Sequence, residues 1–229
     1  MTNIPKVNDQ VDQWRSVMFL YDSALKRVNT KIEILNNEFV NRYDYNPIEH
    51  IKSRLKTADS IVKKLKKDGY EVTIENMMEC LSDIAGIRII CSFTSDIYQI
   101  AQMISSQADV TVLHVKDYIR NPKPNGYKSY HMVVTVPVYL SDGPVETKVE
   151  IQIRSVAMDF WASLEHKIAY KFEGNAPENL LQELKDCADM VDMLDRKMFS
   201  LNEAITAFAK EQQFDAEQGE ETYGDDNKG

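Results

Sequence analysis

Two apolar seams at helical spacing stand near opposite ends of this chain, and they constrain its fold more than any other feature. Val11, Trp14, Met18, Tyr21, Leu25, Val28, Ile32, Leu35 and Phe39 recur at steps of three and four, the period of one helix face. Leu184, Cys187, Val191, Leu194, Met198, Leu201, Ile205 and Phe208 repeat the pattern toward the other end. The spacing predicts two long helices with narrow stripes, able to pack on the middle of the chain, on each other or on a second subunit. The first has room for one break. Beyond Phe208 the sequence turns polar, and from Glu211 onward seven acids face one lysine, which places −6 of the formal −9 charge there. That stretch reads as a disordered acidic tail.

Between the seams the pattern mixes helix and strand. NPIEHIKSRLK reads as a short strand or extended lead-in, and TADSIVKKLKK as a helix closed by Gly69. GIRIICSF is a strand, SDIYQIAQMISSQ a helix, and DVTVLHVKDYI, SYHMVVTVPVYL and ETKVEIQIR are strands. The turn at Ser141-Asp142-Gly143-Pro144 joins the last two as an antiparallel hairpin, and SVAMDFWASLEHKIAYKF follows as a helix. The expected fold is α+β: a mixed five-stranded sheet flanked by helices, with long N- and C-terminal helices. The expected divisions are an N-terminal helical segment at 1–44, a catalytic domain at 45–175, a C-terminal helix at 176–210 and the tail at 211–229.

Composition narrows the classes. With 43% hydrophobic residues the chain can bury a full core, and no apolar run approaches the roughly 20 residues that cross a bilayer. MTNIPKVNDQ has no signal-peptide apolar stretch, so a cytoplasmic location is expected. Cys80, Cys91 and Cys187 are far apart, as are His50, His114, His131 and His166, which predicts reduced core thiols rather than a zinc site. Net negative charge argues against strong nucleic-acid binding.

Several residues could carry chemistry. In KVEIQIR, Val149, Ile151 and Ile153 point one way and Glu150, Gln152 and Arg154 the other. A strand half facing water gives that pattern; so does a carboxylate mounted on a rigid sheet to hold a metal or take a proton. Asp83 sits where a helix hands over to a strand, as a simple turn aspartate or as a second carboxylate for a metal that binds substrate phosphates. Ser60, Lys63, Lys64 and Lys67 recur at helical spacing after Arg54 and Lys56, a solvated basic face or a cradle for a triphosphate. There is no G-x-x-x-x-G-K-[ST], so side chains and not a P-loop would hold one. In KPNGYKSYH, Asn125-Gly126 supplies a turn with positive φ; Tyr127 offers a face to a base, and Lys123, Lys128 and His131 offer donors to phosphate.

SRLKTADSIVKKL, DIAGIRIIC, DYIRNPKPNGYKSYH, VEIQIRS and AMDFWASLEHKIAYK, in that order, resemble the synthetase domain of the RelA/SpoT alarmone family over roughly residues 45–172. No His-Asp hydrolase region precedes them, so the chain resembles a stand-alone small alarmone synthetase, with KPNGY and AMDFWASLEHK most similar to the RelP branch. The resemblance implies a nucleotidyltransferase-like fold and transfer of the β,γ-pyrophosphate of ATP to the 3′-oxygen of GDP or GTP, with Mg²⁺ as cofactor. It implies that Arg54 and Arg88 sandwich adenine, and that Lys56, Ser60, Lys64 and Lys67 hold the ATP phosphates. Asp83 and Glu150 would be the metal carboxylates, with Glu150 activating the 3′-hydroxyl. Tyr127 would stack on guanine, while Lys116, Lys123, Lys128, His131 and Gln152 serve the guanine nucleotide. A homotetramer is implied as well. Asp159 departs from the asparagine usual in the RelQ-like branch, and its charge is expected to disfavour an anionic effector there. Two other readings compete: a guanine-nucleotide sensor without turnover, and an RNA-associated module using the basic helix.

Overall fold

The first seam forms one unbroken helix, α1 (Asp9–Tyr43), in the computed structural model, which describes residues 9–171 and 177–223, and side chains for 12–168 and 177–208. Tyr21, Leu25, Val28, Ile32, Leu35 and Phe39 are all buried along it. They lie across a five-stranded sheet of β1 (Ile48–Leu55), β2 (Ala85–Cys91), β3 (Thr111–Asp117), β4 (Tyr130–Leu140) and β5 (Gly143–Ser155). The spatial order is β1-β2-β5-β4-β3, with β2 and β5 parallel and every other pair antiparallel. The mixed sheet expected from the sequence is therefore present.

Period-two alternation decides which face is wet. Val149, Ile151 and Ile153 on β5 are fully buried against the α1 side, each worth about 1.5–3 kcal/mol in apolar area removed from water. Glu150 and Gln152 consequently stand on the opposite face. The β4–β5 hairpin closes through Ser141 and Asp142, with Leu140 opposite Gly143. Gly143 takes φ +122°, a conformation that favours glycine.

Helices finish the layers. Thr57 caps α2 (Ala58–Lys67) through its side chain, which accepts from the Ser60 amide; Ile61 and Leu65 go into the core, and Gly69 follows at φ +81°. A short helix, α3 (Ile74–Cys80), was not anticipated; Thr73 caps it and only Met77 is buried, so its sequence carries little periodic signal. Next come α4 (Thr94–Ser105), α5 (Val156–Lys171) and α6 (Glu178–Tyr223).

The last helix departs from expectation in three ways. It runs to Tyr223 instead of giving way to a disordered tail near residue 211, because Glu and Gln, both good helix formers, dominate 211–223; residues 224–229 lie outside the described residues. Its predicted seam turns outward after Val191, which packs beside Trp161 and Ala188: Leu194, Met198, Leu201, Ile205 and Phe208 are exposed, while Ala188 and Asp195 are buried. Cys187 is exposed rather than a core thiol, whereas Cys91 is buried and Cys80 half-buried. Among the described residues no helix is long and apolar enough to cross a membrane.

Candidate active site

Strand register brings the charged residues into two adjacent rows on the wet face. One row crosses the sheet as Lys52, Arg88, Gln152, His131 and Lys116; the next runs Arg54, Gly86, Glu150 and Val133. Cross-strand neighbours lie about 5 Å apart, so residues scattered over some hundred positions become contiguous. Lys52, Ser53, Arg54, Gly86, Arg88, Glu150 and Gln152 line an open cleft on this face. Gly86 supplies its floor between Arg54 and Glu150. A Cβ there would come within 3.9 Å of the Arg54 side chain, so glycine leaves that space free.

Asp83 stands between α3 and β2, where Lys56 Nζ contacts its Oδ2 and Lys64 Nζ lies 2.9 Å from Oδ1. Burial alone would raise its pKa; the contacts and positive charge of the two lysines outweigh that and hold the carboxyl below its ordinary range. Lys64 approaches off the hydrogen-bond axis, so the buried Oδ1 has no aligned donor. Glu150 has the same balance: burial pushes it up, and His131 and Gln152 bring it down below the usual range. Gln152 Nε2 donates to Glu150 Oε2 at 3.1 Å, and His131 Nδ1 lies 3.6 Å from Oε1. The two carboxylates repel each other through space. Two ionised carboxylates, one with an undirected buried oxygen, fit a hard divalent cation whose remaining ligands are phosphate oxygens and waters. Among the described residues no group of three or more His, Cys, Asp or Glu side chains would hold a metal by itself.

A polar chain runs on from Glu150 under the loop. His131 Nε2 and the Tyr127 hydroxyl are 2.8 Å apart. Arg154, almost wholly buried, donates to that hydroxyl at 2.5 Å, to Gln152 Oε1 at 3.1 Å, to Ser129 Oγ at 3.3 Å and to Asp159 Oδ1 at 3.1 Å. Arg88 reaches the same Asp159 oxygen at 3.3 Å. The Asp159 charge is thus neutralised by two guanidinium groups, and the repulsive character expected of it is not what the structure shows. Arg154 and Lys52 join the site in the structure; the alternation of β5 puts Arg154 on the face of Glu150 and Gln152, whereas nothing in the sequence around Lys52 marks it.

The loop expectations divide. Gly126 has φ +87°, and its amide donates to the Lys123 carbonyl at 2.8 Å, closing the expected turn. Lys123 Nζ sits 4.7 Å from the Tyr127 ring centroid and 4.9 Å from that of Tyr118, covering an aromatic face that a base would need. Lys128 turns away from the cleft and pairs with Asp192 of α6. Lys116 is exposed on edge strand β3, Lys67 is exposed on α2, and Ser60 lies in the first turn of α2, its Oγ accepting from Thr57 Oγ1 at 2.8 Å.

This mixed five-stranded sheet, with acids and cations converging on one open cleft, is a nucleotidyltransferase-like α+β fold. The model of a region found in RelA and SpoT proteins matches residues 53–175, and the chain belongs to that family. It is 43% identical over 205 residues to GTP pyrophosphokinase YwaC of Bacillus subtilis, covering 90% of this chain and 98% of the relative. Among solved structures it is similar to small alarmone synthetase 2 of B. subtilis, with TM-score 0.75, 44% identity and coverage of 83% and 98% of the two chains. It is also similar to small alarmone synthetase 1 of the same organism bound to its product pppGpp, with TM-score 0.77, 33% identity and coverage of 84% and 98%.

Proposed function

We propose that this protein is a GTP/GDP pyrophosphokinase, transferring the β,γ-pyrophosphate of ATP to the 3′-oxygen of GDP or GTP to give ppGpp or pppGpp and AMP. The observation that carries the reading is Glu150. It is an ionised carboxylate fixed on β5 by Gln152 and His131, at the floor of a cleft flanked by Arg54 and Arg88. The family relationship supports it independently.

In this reading the acceptor 3′-oxygen attacks the β-phosphorus, the bond from that phosphorus to the α–β bridging oxygen breaks, and AMP leaves. Glu150 takes the hydroxyl proton, a task for which a carboxylate kept ionised at neutral pH is suited. Arg54 and Arg88 rise from neighbouring strands to hold the adenine, while Lys56 and Lys64 leave Asp83 for the ATP phosphates. Tyr127 stacks on the guanine once Lys123 swings from its ring to the acceptor phosphates. Members of this family generally use a divalent metal; Mg²⁺ held by Asp83 and Glu150 would neutralise charge on the transferring group. Positioning and charge neutralisation are the main tasks in such transfers.

We also place the protein in the cytoplasm and assign it a homotetramer, supported by the outward apolar residues of α5 and α6, among them Phe160, Leu164, Met193 and Leu194.

The test is turnover of purified protein with Mg²⁺, ATP and GDP or GTP, with products resolved by anion exchange, beside the variant Glu150→Gln. Matched AMP and guanosine tetra- or pentaphosphate from wild type is expected, falling about 10²–10⁴-fold in Glu150→Gln with nucleotide binding kept. No turnover by folded wild type would leave a nucleotide sensor as the better account.

A further inference from the structure

The loop that carries Tyr127 has two sides. One turns the tyrosine hydroxyl to His131 and the cleft; the other is fastened to α6, a helix beyond the 53–175 region that defines the family. Lys128 Nζ pairs with Asp192 Oδ1, and both side chains are about four-fifths shielded, with 20% and 18% of their surface exposed. Arg196 holds the other Asp192 oxygen at 2.8 Å. Two residues before Lys128, a Cβ on Gly126 would meet Ala188 Cβ at 2.5 Å, so loop and helix touch backbone to side chain. Under Tyr127, Trp161 and Ala162 of α5 pack with Ala188, and Trp161 Nε1 donates to the Leu184 carbonyl at 2.9 Å. One turn beyond Asp192, Asp195 accepts from Ser155 Oγ at 2.7 Å and Thr94 Oγ1 at 3.1 Å. Those bonds pin α6 to the end of β5 and the start of α4.

We infer that α6 is a working part of the guanine-nucleotide site: Asp192 is a positioning residue that holds the 123–129 loop, and Tyr127 with it, through Lys128. This rests on the pyrophosphokinase reading above. Asp83 would gain a metal ion when its lysines turn to phosphate, whereas Asp192 would keep only the exposed Arg196, so Lys128 is the poorer phosphate ligand. The same pair is well suited to hold a loop: both ends are short of water, and Asp192 is itself anchored by the turn that carries Asp195. A loop held in one conformation spends less binding free energy on ordering when the acceptor arrives.

Two roles for Lys128 predict opposite signs. If the pair is a strut, Asp192→Asn loosens the loop and raises the KM for GDP about five- to tenfold, with the KM for ATP and the melting temperature nearly unchanged. If Lys128 serves phosphate directly, Asp192→Asn frees it and the KM for GDP falls. The exchange of charges, Lys128→Asp with Asp192→Lys, should recover most of the loss that each single variant shows; Arg196, 74% exposed, can turn to solvent. A GDP KM that falls or stays put in Asp192→Asn overturns the strut, as does a folded exchange variant that recovers nothing. Should the exchange variant not fold, the sign in Asp192→Asn decides alone. Wild type without turnover would sink the pyrophosphokinase reading instead, and GDP affinity by calorimetry on the same variants would still read the strut.

Discussion

Replacing Gly126 with alanine loads two separate costs onto one position. The backbone there has φ +87°, a left-handed conformation that costs a residue with Cβ about 1–2 kcal/mol. The new methyl would also sit 2.5 Å from Ala188 Cβ, and relieving such an overlap in a packed contact costs about 1–3 kcal/mol. If the loop stays on α6, the variant loses about 2–5 kcal/mol, or roughly 5–15 °C of melting temperature for a chain of this size. If the loop lifts instead, stability is largely kept and Tyr127 is misplaced. The second variant, Gly126→Ala with Ala188→Gly, removes the overlap, leaves the φ cost and adds about 1 kcal/mol for glycine inside a helix. Thermal melting followed by circular dichroism, together with KM for GDP and for ATP, separates these terms. The expected result is a rise in the GDP KM for Gly126→Ala that the double variant largely reverses, while its melting temperature stays low. A Gly126→Ala protein indistinguishable from wild type in both readouts would refute the packing argument for this loop.

Other outcomes follow from the same site and from the α1 interface. Tyr127→Ala should raise the KM for the guanine acceptor more than that for ATP, since stacking of a base on an aromatic ring is worth about 1–3 kcal/mol; equal damage to both would mean the loop is only structural. Tyr127→Phe keeps the ring but removes the hydroxyl shared by His131 and Arg154, so it should lower kcat more than it raises the acceptor KM. At the other end of the sheet, Arg27 and Lys31 of α1 grip Asp109 at 2.5 and 2.8 Å and bring its pKa down to about 2. A depressed carboxylate adds stability above its unfolded pKa of about 3.9 and loses it as pH falls through the folded value. The shift sets a ceiling of about 2.6 kcal/mol, which solvent screening of this partly exposed group cuts to on the order of 1 kcal/mol. Asp109→Asn should therefore be less stable than wild type by about that much at pH 6, with the gap closing by pH 2. A pH-independent gap in urea melts would contradict the ion-pair account.

Much of the site was legible because strands convert sequence alternation into a face. Glu150 and Gln152 could be placed opposite Val149, Ile151 and Ile153 from spacing alone, and the structure keeps that division. What spacing could not supply was register. Only pairing of β1 with β2, and of β2 with β5, sets Arg54 two strands from Glu150 with Gly86 between them. Charge was also read too locally. Asp159 looked like a repulsive group in isolation, yet Arg88 and Arg154 arrive from two strands to neutralise it. Lys128 reads as a phosphate ligand beside Lys123 and His131, whereas its ion-pair partner lies on a helix more than sixty positions away.

The C-terminal helix shows where periodicity stops being informative. An apolar stripe says that a face must leave water; it does not say what covers it. On α1 the stripe and the covered face coincide, with Val28 and Ile32 each 1% exposed. On α6 they part after Val191, which packs beside Ala188 and Trp161: loop and sheet meet the helix at Ala188, Asp192 and Asp195 and Phe199 lies on Phe93, while Leu194 and Ile205 on the predicted stripe are 57% and 59% exposed. A small residue and two acids give no hydrophobic signal, and their partners, Gly126, Lys128, Ser155 and Thr94, become visible only once the sheet and loop are in place. The separation also leaves α6 with two usable faces, one fixed to the acceptor loop and one apolar and open. In the homotetramer proposed for this chain the open stripe would be the surface a second copy covers, and the same helix would then carry that contact to the loop holding Tyr127.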